Sequence, residues 1–395
     1  MQDLLYLVHR IPYPPNKGDK IRSYHLLRHL SKNYRVHLGA FIDDSADLQY
    51  AEVARALCAT ACLIELNPRT ARLRSLSGLL TGKPLTLAYY ANAELHQWVE
   101  KTLHDFPIKT AVIFSSAMAQ YVEGKPQLKC IADFVDVDSD KWRQYAPTKP
   151  WPLSWIYARE AKTMLNYERK VAAEMSASLF VTEEEAKLFR QLAPESAAKI
   201  GWFNNGVDFD FFSPARTYTN PYSPDELPLV FTGAMDYWPN IDAVVWFAHE
   251  VFPAVHARFP QARFYIVGGR PAPSVQQLAQ IPGVKVTGRV PDVRGYLAHA
   301  KMAVAPLRIA RGLQNKVLEA MAMAKPVVAS RQAAEGICVE AGKDLIVASD
   351  AVAFQDAIGS LLVGGTQQMG EAARSRVMAD YDWQNTLSKL NVLLD

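Results

Sequence analysis

The chain has 395 residues, more than one hydrophobic core usually supports, so two domains of about 150–200 residues are expected. Its 49% hydrophobic and 21% charged residues are ordinary for a globular protein. A net charge of +3 gives no argument for nucleic acid. No apolar run reaches transmembrane length, and nothing resembles a signal peptide: LLYLVH near the start lacks a basic leader and a cleavage site. The expected location is therefore cytoplasmic, with membrane contact only at the protein surface, at the inner face of the plasma membrane.

In chain order, buried strands are expected at 4–8, 36–41, 61–66, 111–114, 130–135 and 179–181, with helices at 21–32, 91–103 and 155–176. The alternation implies a parallel sheet covered by helices on both faces. A loop-forming cluster follows at 208–224, with Pro214, Asn220, Pro221, Ser223 and Pro224. The pattern then restarts, with strands at 229–231, 264–267, 284–286, 302–307, 326–329 and 345–347. An amphipathic helix at 382–394 closes the chain. The expected fold class is α/β with two Rossmann-like domains, 1–210 and 211–378, followed by a terminal segment, 379–395.

The basic residues are unevenly placed. From His9 to Arg35 there are seven Lys/Arg against one acid, Asp19. From Asn67 to Ala93 there is no acid, while Arg69, Arg72, Arg74 and Lys83 are present. Leu73, Leu76 and Leu80 fall on roughly one side of that stretch. This suits a surface that meets phosphates or anionic lipid, although a helix packed on its own domain has the same pattern. The cysteines Cys58, Cys62, Cys130 and Cys338 make a poor zinc pattern, since the i,i+4 pair Cys58/Cys62 has no His partners nearby; buried free thiols are expected, and no metal site.

Open parallel sheets bind ligands beyond the carboxyl ends of their strands, which singles out the loops that follow them. Pro14-Pro15-Asn16-Lys17-Gly18-Asp19-Lys20 joins the first strand to a helix; Gly18 lets the backbone approach a ligand, and Lys17 and Lys20 add charge. Asp136, Asp138, Ser139 and Asp140 cluster after the 130–135 strand, either as functional carboxylates or as a cap for the next helix. Asn240 is placed to cap a helix over 241–252. Strand 302–307 runs through a loop with Arg308, Arg311 and Gly312 into a helix over 313–324, stopped by Pro326. A helix start at a strand end offers free N–H groups and a positive dipole to a phosphate. Lys316 and Glu319 share one face near it, a cation for phosphate beside a carboxylate for sugar hydroxyls. A plain surface Lys–Glu pair fits the same spacing.

LEAMAMAKPVVAS resembles the signature of glycosyltransferase family 4, retaining sugar transferases of the GT-B fold. Asn205-Gly206-Val207-Asp208 with Phe212 and Pro214, Phe264-Tyr265-Ile266-Val267-Gly268, and Val286-Thr287-Gly288-Arg289-Val290 match further family segments. PPNKGDKIRSYH, DFVDVDSDKW, GAMDYWPN and RGLQNKVLEAMA resemble more narrowly the sugar transferases of bacterial exopolysaccharide and PEP-CTERM/exosortase loci. The resemblance implies domains facing a central cleft, with the last helix crossing back to the N-domain. It implies a nucleotide-diphosphate sugar as donor substrate, no further cofactor, and a saccharide or lipid-linked saccharide as acceptor.

It assigns Lys17, Gly18, Asp19, Gly233, Gly312 and Lys316 to the donor phosphate and sugar, and Gly288 and Val290 to the nucleobase. Glu319 matches the second glutamate of the family pattern, and Asp136, or Asp138, stands where many members place a transfer-centre His. The chain departs from the pattern at three positions. Arg311 replaces the first glutamate, and Ala234 and Pro239 replace an Arg and a Lys that meet the diphosphate. Arg311 and Lys316, with Arg308, would then supply the missing charge. Two alternatives stay open at this point: a nucleotide-sugar epimerase of the same fold, and a non-catalytic relative that binds sugar or nucleotide.

Overall fold

The computed structural model describes residues 1–15, 18–310, 312–364 and 367–394. It divides into two compact units, Met1–Asn204 with Gln384–Asp395, and Asn205–Trp383. The chain thus leaves the first unit after Asn204 and returns to it for its last helix, Trp383–Leu394. That return is held by His29 Nε2 against Asn391 Oδ1 at 2.6 Å and by the Lys389 ammonium 4.5 Å from the Trp202 ring centroid.

The first unit holds seven parallel strands: β1 (Gln2–Val8), β2 (Tyr34–Ile42), β3 (Thr60–Glu65), β4 (Thr110–Phe114), β5 (Lys129–Val135), β6 (Ala177–Phe180) and β7 (Ile200–Trp202). Their order in the sheet is β3-β2-β1-β4-β5-β6-β7. Leu4, Leu5, Tyr6, Leu7 and Val8 are all fully buried, as a strand covered on both faces must be. The order reverses at β1, whose neighbours are β2 and β4, so a crevice opens at the carboxyl ends of β1 and β4.

The second unit repeats the plan with six parallel strands: β8 (Leu227–Thr232), β9 (Ala262–Val267), β10 (Val284–Gly288), β11 (Met302–Ala305), β12 (Val327–Ser330) and β13 (Ile346–Ala348). The order β10-β9-β8-β11-β12-β13 reverses at β8. Two α/β units with doubly wound parallel sheets are the expected fold class.

Three local expectations change. Cys58 and Cys62 do not share a helix: Cys58 lies in the turn after the helix Ala51–Arg55, and Cys62 lies in β3. Only Cys130 is buried, while Cys338 is exposed. The helix after β11 is shorter than its apolar pattern suggests, Asn315–Ala322, because Ala324 takes a left-handed φ of 54° before Pro326. Among the described residues no helix is long and apolar enough to cross a membrane.

One buried ion pair fastens the first helix, Gly18–Asn33, to the sheet. Arg22 donates from Nε and Nη2 to the Asp133 carboxylate at 2.7 and 3.1 Å, and from Nη1 to Phe203 O at 2.9 Å. Its guanidinium also lies 3.7 Å from the Phe203 ring centroid. Every face of a buried charge is thereby matched, which its burial requires.

Candidate functional site

In the second unit, three strand ends are drawn together by glycine. A Cβ on Gly268 would lie 1.7 Å from Gly233 O, and one on Gly233 would lie 2.7 Å from Asn240 Nδ2. No side chain fits in the first of these spaces. Gly233 N donates to Val267 O at 3.0 Å, and Gly268 N to Gly288 O at 3.2 Å. Gly288, at the end of β10, has a φ of 68°.

The next helix, Trp238–Trp246, already includes Asn240, so Asn240 does not cap it. Its side chain is buried and does something else. Asn240 Nδ2 donates to Ala234 O at 2.9 Å, and Oδ1 accepts from Lys316 Nζ at 2.5 Å. The Lys316 ammonium also lies 4.6 Å from the Phe231 ring centroid. Lys316 is thus pinned to the end of β8 from the first turn of Asn315–Ala322. The Gln314 side chain makes no cap hydrogen bond to that helix start, where N–H groups and the helix dipole favour an anion.

Burial lowers the Lys316 ammonium to about 7, against the opposing pull of Glu319. Burial likewise raises the Glu319 carboxyl to about 7, with Lys316 opposing. Both side chains are half-buried, one helical turn apart, and change charge near neutrality. A phosphate placed against Lys316 would restore its charge.

Other sequence-derived residues fare differently. Arg308 is paired with Asp242, its Nε 2.9 Å from Oδ2 and its Nη2 on Oδ1, so part of its charge is already matched. Gly312 has a φ of 64°, and its carbonyl accepts from Gln314 Nε2 at 3.1 Å. Val290 is half-buried just past β10. Arg311 and Lys17 lie outside the described residues.

In the first unit a cavity of about 250 Å³ opens at the sheet's switch point. His9 lines it from the end of β1 and Ser115 from the end of β4. Thr86 and Tyr90 come from the helix Leu85–Tyr90, and Asp138, Lys141, Trp142 and Tyr145 from the helix Asp138–Tyr145. Two non-glycine residues at strand ends of this sheet adopt a positive φ, the cavity-lining Ser115 at 76° and Val135 at 69°. For the β-branched Val135 this is costly, and such strain concentrates at functional sites.

The strained turn is held by buried acids. Glu185 Oε2 accepts from Val137 N at 2.7 Å; Glu168 accepts from Ser139 N at 3.2 Å and Ser139 Oγ at 2.5 Å. Burial, then the charge of Asp138, pushes the Glu168 carboxyl up to about 8. Lys141 Nζ reaches Asp136 at 2.7 Å and Asp138 at 3.3 Å. Burial alone would lower that ammonium, but the two aspartates outweigh it and raise it. Of these two aspartates, Asp138 lines the cavity.

The loop after β1 is also built differently from its sequence reading. Lys20 is fully buried and bonded to Asp47 at 2.5 Å, so it adds no ligand charge. Gly18 opens the helix. Asp19 receives Arg10 at 2.6 Å and stands 3.4 Å from His9 Nε2, while Arg10 reaches Asp43 at 2.7 Å. Asp19 is therefore an anchor for the end of β1, its carboxyl held below the usual range because His9 and Arg10 outweigh burial. His9 stacks on Phe114 with ring centroids 5.7 Å apart. His9, Trp142 and Tyr145 were missed in the sequence; His9 directly follows the first strand, which was a usable signal. Aromatic walls beside a carboxylate suit a sugar ring, which offers C–H faces and hydroxyl donors.

A family model described as glycosyl transferases group 1 matches residues 226–363, within the second unit. No curated protein matches the chain by sequence. Similar solved structures include a sucrose-phosphate synthase from Thermosynechococcus elongatus, at TM-score 0.70 and 18% identity over 100% of this chain and 98% of that one. Anabaena HepE in complex with UDP and glucose gives 0.68 and 15%, over 100% and 99%. WaaG, a glycosyltransferase involved in lipopolysaccharide biosynthesis, gives 0.68 and 13%, over 99% of each chain. The fold is GT-B over the whole chain.

Proposed function

We propose that this chain, a glycosyltransferase with a group 1 domain in its second unit, moves a sugar from a nucleoside-diphosphate sugar to a saccharide acceptor. The observation that carries the reading is Lys316, pinned by Asn240 and Phe231 in the first turn of Asn315–Ala322, with Glu319 one turn along. In this reading the diphosphate lies against Lys316 and that helix start, with the Gly312 loop beside it. Glu319 accepts from donor sugar or ribose hydroxyls, and the strand ends at Gly233, Gly288 and Val290 border the nucleotide. The HepE structures with UDP and with UDP-glucose support a donor of this class.

The acceptor sugar occupies the cavity of the first unit, against Trp142 and Tyr145, with Asp138 accepting from its hydroxyls. Retention at the anomeric carbon, a lipid-linked acceptor, an exopolysaccharide role of the PEP-CTERM/exosortase type and a place at the inner membrane face extend the reading from the family resemblance.

The test is a thermal-shift series over nucleoside-diphosphate sugars, followed by incubation of the stabilising donor with and without saccharide acceptors. Acceptor-dependent release of nucleoside diphosphate is expected, and the anomeric configuration of the product, read by NMR, checks retention. Conversion of the donor alone into an isomeric sugar nucleotide would replace the reading with an epimerase. Donor binding with neither transfer nor slow hydrolysis would replace it with a binding protein.

A further inference from the structure

One face of the first unit presents large apolar side chains to solvent. Leu80 is 92% exposed, Trp151 82%, Leu73 70% and Trp155 57%. They come from two stretches of chain, the helices Pro68–Ser75 and Ser77–Thr81, and the turn at Trp151 with the start of the helix Leu153–Glu174 that follows it. Arg159 Nη2 joins the stretches by donating to Gly78 O at 2.6 Å and Lys83 O at 3.2 Å. Arg159 and Trp155 are four residues apart and share a helix face, so Trp155 lies beside the turn that carries Leu80.

Along these two stretches the charged side chains have one sign up to Arg159. Residues 67–93 and 141–159 contain no Asp or Glu, while Arg69, Arg72, Lys83 and Lys149 are exposed among them. The neighbouring Glu160 is buried and accepts from Leu85 N at 2.7 Å and Thr86 N at 2.9 Å. Exposed apolar side chains on stretches whose exposed charges are cations match the headgroup layer of an anionic bilayer, where tryptophan is also favoured. A second copy on the same face would set cations against cations.

We propose that this face docks the protein on an anionic phospholipid bilayer, with Leu80, Trp151 and Trp155 entering the headgroup layer. The same helix start reaches the cavity. Tyr157 packs on Trp142 with ring centroids 4.9 Å apart, and Glu160 accepts from Thr86 Oγ1 at 2.8 Å; Trp142 and Thr86 both line the cavity. A lipid-anchored acceptor would thus present its sugar beside its own anchor. That step rests on the reading of the cavity as the acceptor site; the docking itself does not.

The test is sedimentation of the full chain with phosphatidylcholine vesicles, with and without phosphatidylglycerol. Binding is expected only with the anionic lipid, with tryptophan emission shifted to the blue and binding weakened by salt. Arg69→Gln with Arg72→Gln and Lys83→Gln should lower partitioning on the order of 100-fold. Leu80→Gln with Trp151→Gln and Trp155→Gln should abolish the emission shift while leaving thermal unfolding unchanged, since all three are exposed. These variants should keep transfer to a water-soluble acceptor and lose it to a lipid-linked one. If wild-type protein binds anionic vesicles but transfers to no saccharide, the acceptor reading falls and the docking stands. Equal binding to neutral vesicles, no vesicle binding at low salt, or a dimer abolished by the same substitutions without lipid binding would overturn the docking.

Discussion

Lys316 gives the sharpest test of the donor site, because its charge is conditional. Burial lowers its ammonium to about 7 in the ligand-free protein, against an ordinary value of 10.5. A diphosphate beside it favours the charged form and raises that value. Binding of a nucleoside diphosphate should therefore take up a proton above pH 7. The sign follows directly: as pH rises from 7, the free protein loses the proton that the complex retains, so affinity falls. The limiting slope is about tenfold per pH unit, or about 1.4 kcal/mol, until the pKa of the complex is reached. Terminal phosphates titrate near pH 6, below this window. Calorimetry in buffers of different ionisation enthalpy at pH 8 should show uptake approaching one proton per nucleoside diphosphate and close to none for the nucleoside. In Lys316→Met the uptake and the slope should disappear, and diphosphate affinity at pH 7 should fall toward that of the nucleoside. Repeating the series in Glu319→Gln removes the second group that titrates near 7. A pH-independent affinity with no proton uptake would refute the argument, as would an unchanged slope in Lys316→Met.

Three further outcomes are expected. Glu319→Ala should weaken sugar-nucleotide binding by about 1–3 kcal/mol, since donor hydroxyls lose a charged acceptor, as titration calorimetry can read. Asp138→Asn should lower transfer by about 100-fold and Asp136→Asn by much less, because Asp138 lines the cavity; equal effects in steady-state rates would count against a distinct role for Asp138. Arg22→Met should cost about 3–5 kcal/mol in denaturant unfolding by stranding the buried Asp133 carboxylate, and adding Asp133→Asn should recover part of that loss.

Much of the fold was legible because parallel strands covered on both faces are short continuous apolar runs. Leu4–Val8 and Met302–Ala305 announce themselves in that way, and the helices between them follow. In the second unit the geometry of the candidate site was legible for a related reason. Gly233 and Gly268 mark strand ends where backbones touch, and Lys316 and Glu319 share a face whatever the tertiary structure. What could not be read was which charges the fold would use internally. Lys20, Asp19 and Arg308 look like ligand residues in a loop or at a strand end. Yet each is bound to a partner tens of residues away or across a strand end: Asp47, Arg10 and Asp242. Asn240 has the spacing of a cap, but the helix begins two residues earlier and frees its side chain for Lys316.

The two units shape their strand ends by opposite means, and this explains the asymmetry. In the second unit glycine removes the obstacle, so the closeness of Gly233 and Gly268 is written in residue type. In the first unit Ser115 and Val135 take a positive φ without glycine's freedom. That conformation persists only because surrounding groups over-determine it. Glu185 on Val137 N and Glu168 on Ser139 are such groups, and both lie far along the chain from the turn they hold. A turn fixed by distant acids leaves no local mark, so the cavity residues Trp142 and Tyr145 became visible only once the sheet was assembled, whereas His9 could have been found from its place after the first strand. The same dependence makes the turn sensitive to protonation. Glu168, raised to about 8 by burial and then by Asp138, is a support whose charge changes near neutrality. Glu168→Gln keeps an acceptor for Ser139 and removes the titration, so it should preserve the cavity and flatten the pH profile of acceptor binding above pH 7. A Glu168→Gln profile that still tracked wild type across that range would place the titrating support elsewhere in the turn.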